Sequence, residues 1–111
     1  MYGLAAVDVR GRVADGAVLS ALSWTPGTRL ALRETHNLLI IRTDPHGVFS
    51  ITRQGHLRIP APVRHCCGLR PGDRVLLAAD PVHGVLVVHP PTVLDDMIAD
   101  CHARRLDGDS A

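Results

Sequence analysis

A chain of 111 residues, 46% of them apolar, has the length for one small domain and enough apolar surface to fill a core without disulfides or metal. Aromatics make up only 3%, so that core must be aliphatic, and the net charge of +1 argues by itself for no partner. Three cysteines do not make a disulfide framework, no apolar run approaches the ~20 residues of a membrane helix, and the N-terminus lacks a basic region followed by an apolar stretch. The composition therefore reads as a reduced, cytoplasmic protein with no membrane association.

In chain order, Val7-Asp8-Val9 alternates like a strand and runs into Arg10-Gly11-Arg12-Val13. Ala17, Val18, Ala21 and Leu22 suit a short helix with Asp15 as its N-cap. In Trp24-Thr25-Pro26-Gly27 the last two residues fit the centre of a type II turn. Leu30 and Leu32 alternate with Arg29, Ala31 and Arg33 as a strand, Thr35-His36-Asn37 turns the chain, and residues 38–41 form a β-rich apolar run. Asp44-Pro45-His46-Gly47 is a further turn.

The same order then recurs. Residues 51–53 read as a strand, Gly55 as a kink, and residues 57–59 as a short strand. Residues 61–67 suit a short helix with Pro60 at or near its first position and Gly68 at its end. Leu69-Arg70-Pro71-Gly72 matches the earlier Pro-Gly turn, Arg74-Val75-Leu76-Leu77 the earlier strand, and residues 85–88 the earlier apolar run. Gly11 and Gly55 stand 44 residues apart, Pro26 and Pro71 45, and His36 and His83 47, a drift that small insertions at turns account for. A unit of about forty residues cannot close a core alone. Two units in one chain predict a pseudo-two-fold domain over residues 4–91, with repeats at 4–46 and 47–91.

Charge singles out residues 51–64. Arg53, His56, Arg58 and Arg64 fall here without one carboxylate, while Ile51, Leu57, Ile59 and Val63 are spaced as inward positions. All twelve cationic side chains are Arg and none is Lys. A GC-rich coding sequence produces that bias; Arg also suits phosphate and base edges, because its planar fork is bidentate.

The run Gly55-His56-Leu57-Arg58-Ile59-Pro60-Ala61-Pro62-Val63-Arg64, followed by Gly68-Leu69-Arg70-Pro71-Gly72-Asp73, resembles the signature of the AbrB/MazE/SpoVT family. The likeness covers residues 51–89. The first half keeps Gly11-Arg12-Val13 and the Pro-Gly turn, but has Asp15-Gly16 in place of Ile59-Pro60, and Ser20 or Ala21 where Arg64 stands. The resemblance implies a mainly β fold, a swapped-hairpin β-barrel normally made by two chains; the internal repeat, not the resemblance, predicts that the barrel closes within this one chain. It implies a DNA-binding transcriptional regulator, or an antitoxin that captures a toxin through a C-terminal extension. On that reading Arg53, His56, Arg58 and Arg64, with Arg10 and Arg12 of the first half, face DNA. His56 stands where the family usually has Arg and makes a weaker, pH-dependent contact. A degenerate barrel serving only in assembly is the third reading.

Neither a cofactor nor an enzyme is expected. His65-Cys66-Cys67 lacks the paired ligand spacing of zinc sites, adjacent cysteines on a short helix point in different directions, and Ser20, Ser23 and Ser50 sit in no catalytic motif. Beyond the barrel, residues 92–106 predict a helix with Thr92 as N-cap and Asp95 three residues on. Leu94, Met97, Ile98 and Cys101 share one face of it, set to pack on the barrel or a sister chain, or to bind a partner such as a toxin. Residues 107–111 are expected to be disordered.

Overall fold

The computed structural model describes residues 1–109. In chain order these form β1 (Tyr2–Ala6), β2 (Arg12–Val13), α1 (Gly16–Ala21), β3 (Arg29–Thr35), β4 (Leu38–Thr43), β5 (Phe49–Ser50), β6 (Leu57–Arg58), α2 (Ala61–Cys67), β7 (Arg74–Asp80), β8 (Val85–His89) and α3 (Pro91–Asp109). The fold is mainly β. A six-stranded antiparallel sheet, ordered β1-β7-β8-β4-β3-β5, curls into a half-barrel, and β2 and β6 make a separate two-stranded ribbon.

The two long hairpins form as alternation dictates. Leu30 on β3, Leu39 and Ile41 on β4, Val75 and Leu77 on β7, and Leu86 and Val88 on β8 all point inward and are essentially without exposure. Residues two apart on a strand share a face, so one sheet face supplies most of the core. The hairpins meet at β4–β8, with Leu39 opposite Val88 and Ile41 opposite Leu86. Their turns differ. His36 and Asn37, with φ of 52° and 64°, close a two-residue turn between Thr35 and Leu38. The second hairpin instead needs residues 81–84, where Asp80 Oδ1 accepts from the His83 backbone N–H at 3.2 Å.

Both short helices start at the residues that the sequence nominates, and the second also stops at its nominated glycine. Asp15 caps α1, its Oδ1 accepting from Val18 N–H at 3.1 Å. Pro60 occupies the N-cap of α2, and Gly68 ends that helix with φ of 66°. The chain leaves the two helices alike: Trp24 N–H donates to Leu19 O at 3.0 Å, and Leu69 N–H to Arg64 O at 2.9 Å. Both residues are buried, and Trp24 sits in a mostly aliphatic core against which Phe49 also packs.

Three boundaries differ from expectation. The strand expected at residues 7–9 begins earlier: β1 pairs with β7 from Tyr2 to Ala6, so the folded unit starts before residue 4, and Val7 makes only a bridge to Val13. Similarly, the strand expected at residues 51–53 is β5, at Phe49–Ser50 on the edge beside β3. Ile51 is buried as expected, but Thr52 already opens the turn that Gly55 closes, Gly55 N–H donating to Thr52 O at 2.9 Å. Third, α3 starts at Pro91, where a missing N–H leaves nothing unsatisfied, and Leu94 N–H donates to Pro90 O at 3.0 Å. It continues to Asp109, so residues 107–109, expected to be disordered, are helical; residues 110 and 111 lie outside the described part.

Among the described residues α3 packs on the half-barrel at its start. It meets β7, with Val93 and Leu94 half-buried, while Met97 and Ile98 are 48% and 45% exposed. The expected packing of this helix along its own barrel is therefore not found, and the molecule is long, 53 × 30 × 21 Å. No helix among the described residues is long and apolar enough to cross a membrane.

Candidate nucleic-acid interface

The β2–β6 ribbon joins the two basic stretches. Val13 lies opposite Leu57 and Arg12 opposite Arg58. Val13 and Leu57 are buried in the core, so alternation turns Arg12 and Arg58 outward as neighbours. Like charges directly opposite one another in an antiparallel pair are destabilising.

Each ribbon strand is led in by a tight turn, and the two turns are built with the same bonds. Asp8 N–H donates to Arg12 O at 3.1 Å and Thr52 N–H to His56 O at 2.9 Å. Gly11 N–H donates to Asp8 O at 3.0 Å and Gly55 N–H to Thr52 O at 2.9 Å. Gly11 and Gly55 have φ of 80° and 79°, the left-handed region in which a Cβ is strained. A short polar side chain completes each turn: Asp8 Oδ1 accepts from Arg12 N–H at 2.8 Å, Thr52 Oγ1 from His56 N–H at 3.0 Å.

The side chain at that position changes the electrostatics. Asp8 Oδ1 also accepts from Arg10 N–H at 2.9 Å, and Oδ2 from Arg12 Nε at 2.6 Å. The first turn thus carries a carboxylate that occupies Arg12, and the second carries a neutral hydroxyl. Neither Asp8 nor Thr52 stands out by charge count; the signal for them is a short polar side chain three residues before glycine, the pattern of a side-chain-capped turn.

Hydrogen bonding to the Arg12 backbone N–H and then to its side chain holds the Asp8 carboxyl below the usual carboxylate range. Asp80 is lowered in the same way by the His83 side chain and backbone. A carboxyl with a lowered folded pKa stabilises the fold above its unfolded value near ~3.9 and loses that contribution as pH falls through the folded value. Melting temperature should therefore fall as pH drops below about 5, and fall less in Asp8→Thr. An acid response that is identical in the variant contradicts this role for Asp8.

Of the six predicted DNA-facing residues, Arg10, Arg53 and Arg58 are exposed, and Arg12, His56 and Arg64 are half-buried. Two arginines of the second half reach over to the first turn: Arg58 Nε lies 3.4 Å from Arg10 O, and Arg64 Nη1 3.5 Å from Val9 O. Arg64 is pinned across Gly11, where a Cβ would fall 2.7 Å from its Nε and 2.4 Å from Ile59 O. That Nε and His56 Nδ1 are buried, without a hydrogen-bond partner among the described residues, and the burial makes Arg64 and His56 less free to meet a ligand than the sequence implied. Five of the six converge on one ribbon and its two turns, and Arg64 joins them from α2.

The remaining predicted residues lie on α3: Leu94 is half-buried at its base, while Met97, Ile98 and Cys101 are exposed. Cys66 is exposed and Cys67 buried; burial pushes the Cys67 thiol up to about 11, which leaves it protonated and unreactive at neutral pH.

Comparison with protein-family models, curated proteins and solved structures gives no match.

Proposed function

We propose that this protein is a DNA-binding transcriptional regulator of the AbrB/MazE/SpoVT kind, with both halves of a swapped-hairpin barrel carried in one chain. The observation that carries this reading is the outward pair Arg12 and Arg58 on the β2–β6 ribbon. Asp8 holds Arg12 in the free protein, so exposed Arg58 is the cation that the ribbon offers to a phosphate, with counterion release on contact.

Two further features support the internal duplication. The strand order β1-β7-β8-β4-β3-β5 reads the same backwards when β1 is exchanged with β5, β3 with β7 and β4 with β8. In it, each hairpin is bordered by the strand that opens the other half of the chain, the neighbour that a swap within a single polypeptide would give it. The matched hydrogen bonds of the two glycine turns point the same way.

The two arms are unequal. A homodimer presents identical arms and prefers a palindrome; here the second arm carries Arg53 and Arg58 beside a neutral Thr52, and the first pairs Arg12 with Asp8. The site should be non-palindromic. Selection from random duplexes at two salt concentrations tests this, with enrichment expected at the lower one. Absence of enrichment there overturns the regulator reading, and a palindromic consensus overturns the inequality of the arms.

A further inference from the structure

The chain leaves each short helix through a corner built with the same backbone bonds. In the second half Leu69 N–H donates to Arg64 O, Gly68 N–H to His65 O and Asp73 N–H to Arg70 O, at 2.9, 3.2 and 3.1 Å. In the first half Trp24 N–H donates to Leu19 O, Ser23 N–H to Ser20 O and Thr28 N–H to Thr25 O, at 3.0, 2.9 and 3.0 Å. The side-chain cap is shared too: Asp73 Oδ2 accepts from Arg70 N–H at 2.9 Å, and Thr28 Oγ1 from Thr25 N–H at 3.0 Å. These bonds match Arg64 to Leu19, His65 to Ser20 and Arg70 to Thr25. The fold closes the first corner with no cation at these positions, so the backbone does not require the three that the second corner carries.

Those three line one cavity. Arg64, His65, Gly68, Leu69, Arg70 and Pro71 border a surface concavity of about 430 Å³, and no carboxylate is among them. The acid closest in sequence, Asp73, is engaged by the Arg70 backbone N–H. The carbonyls of Arg64 and His65 at the end of α2, which would oppose an anion, already accept the corner's own N–H groups. Arg70 and His65 are exposed. Arg64 is held over Gly11 and adds a fixed charge. Donors on three side chains around an acid-free cavity suit an anion with several oxygens. A phosphate presents at least three acceptors, two of which fit the planar Arg fork side by side.

We propose that this corner is a phosphate-binding pocket, with Arg70 and His65 as its contacting residues and Arg64 as a fixed cation beside them. Only the second half carries it. The pocket stands on its own geometry. Its phosphate belongs either to the DNA backbone, a source that rests on the regulator reading, or to a free phosphorylated small molecule, a source that does not.

Amide NMR shifts of the full chain, followed as inorganic phosphate is added at constant ionic strength to about 20 mM, test the pocket directly. Saturable shifts centred on His65, Gly68 and Arg70 are expected. The double variant His65→Ser/Arg70→Thr installs the residues that the first half uses at the matched positions. The single variant Arg70→Gln keeps the length and polarity of the side chain, so a folding defect in the double variant does not decide the matter. Each should bind phosphate at least roughly tenfold more weakly, the worth of one charge-assisted hydrogen bond. No saturable shift in wild type, shifts centred instead on the ribbon arginines, or binding unchanged in both variants overturns the pocket. DNA affinity across a salt series then separates the two sources. A slope of log K against log salt reduced by ~0.9 in Arg70→Gln assigns the phosphate to DNA, and an unchanged slope assigns it to a free phosphorylated ligand. A wild type that binds no DNA overturns the regulator reading and leaves the phosphate titration to decide the pocket.

Discussion

Gly11→Ala should destabilise the fold by roughly 3–4 kcal/mol, whereas Gly55→Ala should cost only about 1–2 kcal/mol. The two glycines have φ of 80° and 79° and close turns with the same hydrogen bonds, so the conformational cost of a Cβ is shared. Their surroundings separate them. A Cβ on Gly55 meets nothing within 4 Å, while one on Gly11 lands 2.4 Å from Ile59 O and 2.7 Å from Arg64 Nε. Arg64 can swing away at modest cost. Ile59 cannot, because its N–H donates to Gly11 O at 2.8 Å and its side chain is fully buried. Relief of the clash must therefore break the contact that ties the second half to the first turn. Urea unfolding of the two variants measures the difference, and midpoints lowered equally would mean that this contact holds little of the fold together.

That contact shows where sequence reading reaches its limit. The hairpins were legible because alternation at Leu30 and Leu32, and at Val75 and Leu77, is a local pattern followed by an apolar run. Helix ends were legible for the same reason: Asp15 and Gly68 act on backbone groups within four residues. β1 was not, since Tyr2–Ala6 contains no β-branched residue and owes its strand conformation to β7, some seventy residues away. At the candidate site the inventory of charges was legible and their condition was not. Nothing in Arg10-Gly11-Arg12 announces that Asp8 already occupies Arg12. Nor does Ala61-Pro62-Val63-Arg64 announce that Arg64 lies across a glycine of the other half. Both depend on which residues the fold brings together.

The same condition of the charges governs the final expectation: Arg58→Ala should weaken DNA binding and Asp8→Thr should strengthen it. Arg58 is exposed, and among the described residues its only hydrogen bond is the long one to Arg10 O, so its guanidinium is available to a phosphate. Its removal should lower affinity roughly tenfold and reduce the slope of log K against log salt by ~0.9. Asp8→Thr acts in the opposite sense. Thr52 already closes the equivalent turn through its hydroxyl, so threonine at position 8 keeps that capping bond to the Arg12 N–H while removing the carboxylate that holds Arg12 Nε at 2.6 Å. Arg12 then faces solvent as a free cation beside Arg58, and the slope should steepen by ~0.9. Arg64→Ala serves as the contrast, because a residue pinned across Gly11 should cost stability more than it changes the salt slope. Affinities measured by fluorescence anisotropy across a salt series separate the three. Slopes for Arg58→Ala and Asp8→Thr that coincide with wild type would mean that DNA does not meet the ribbon. A change in only one of them would assign the contact to a single arm, since the two substitutions act on opposite strands of the same two-stranded ribbon.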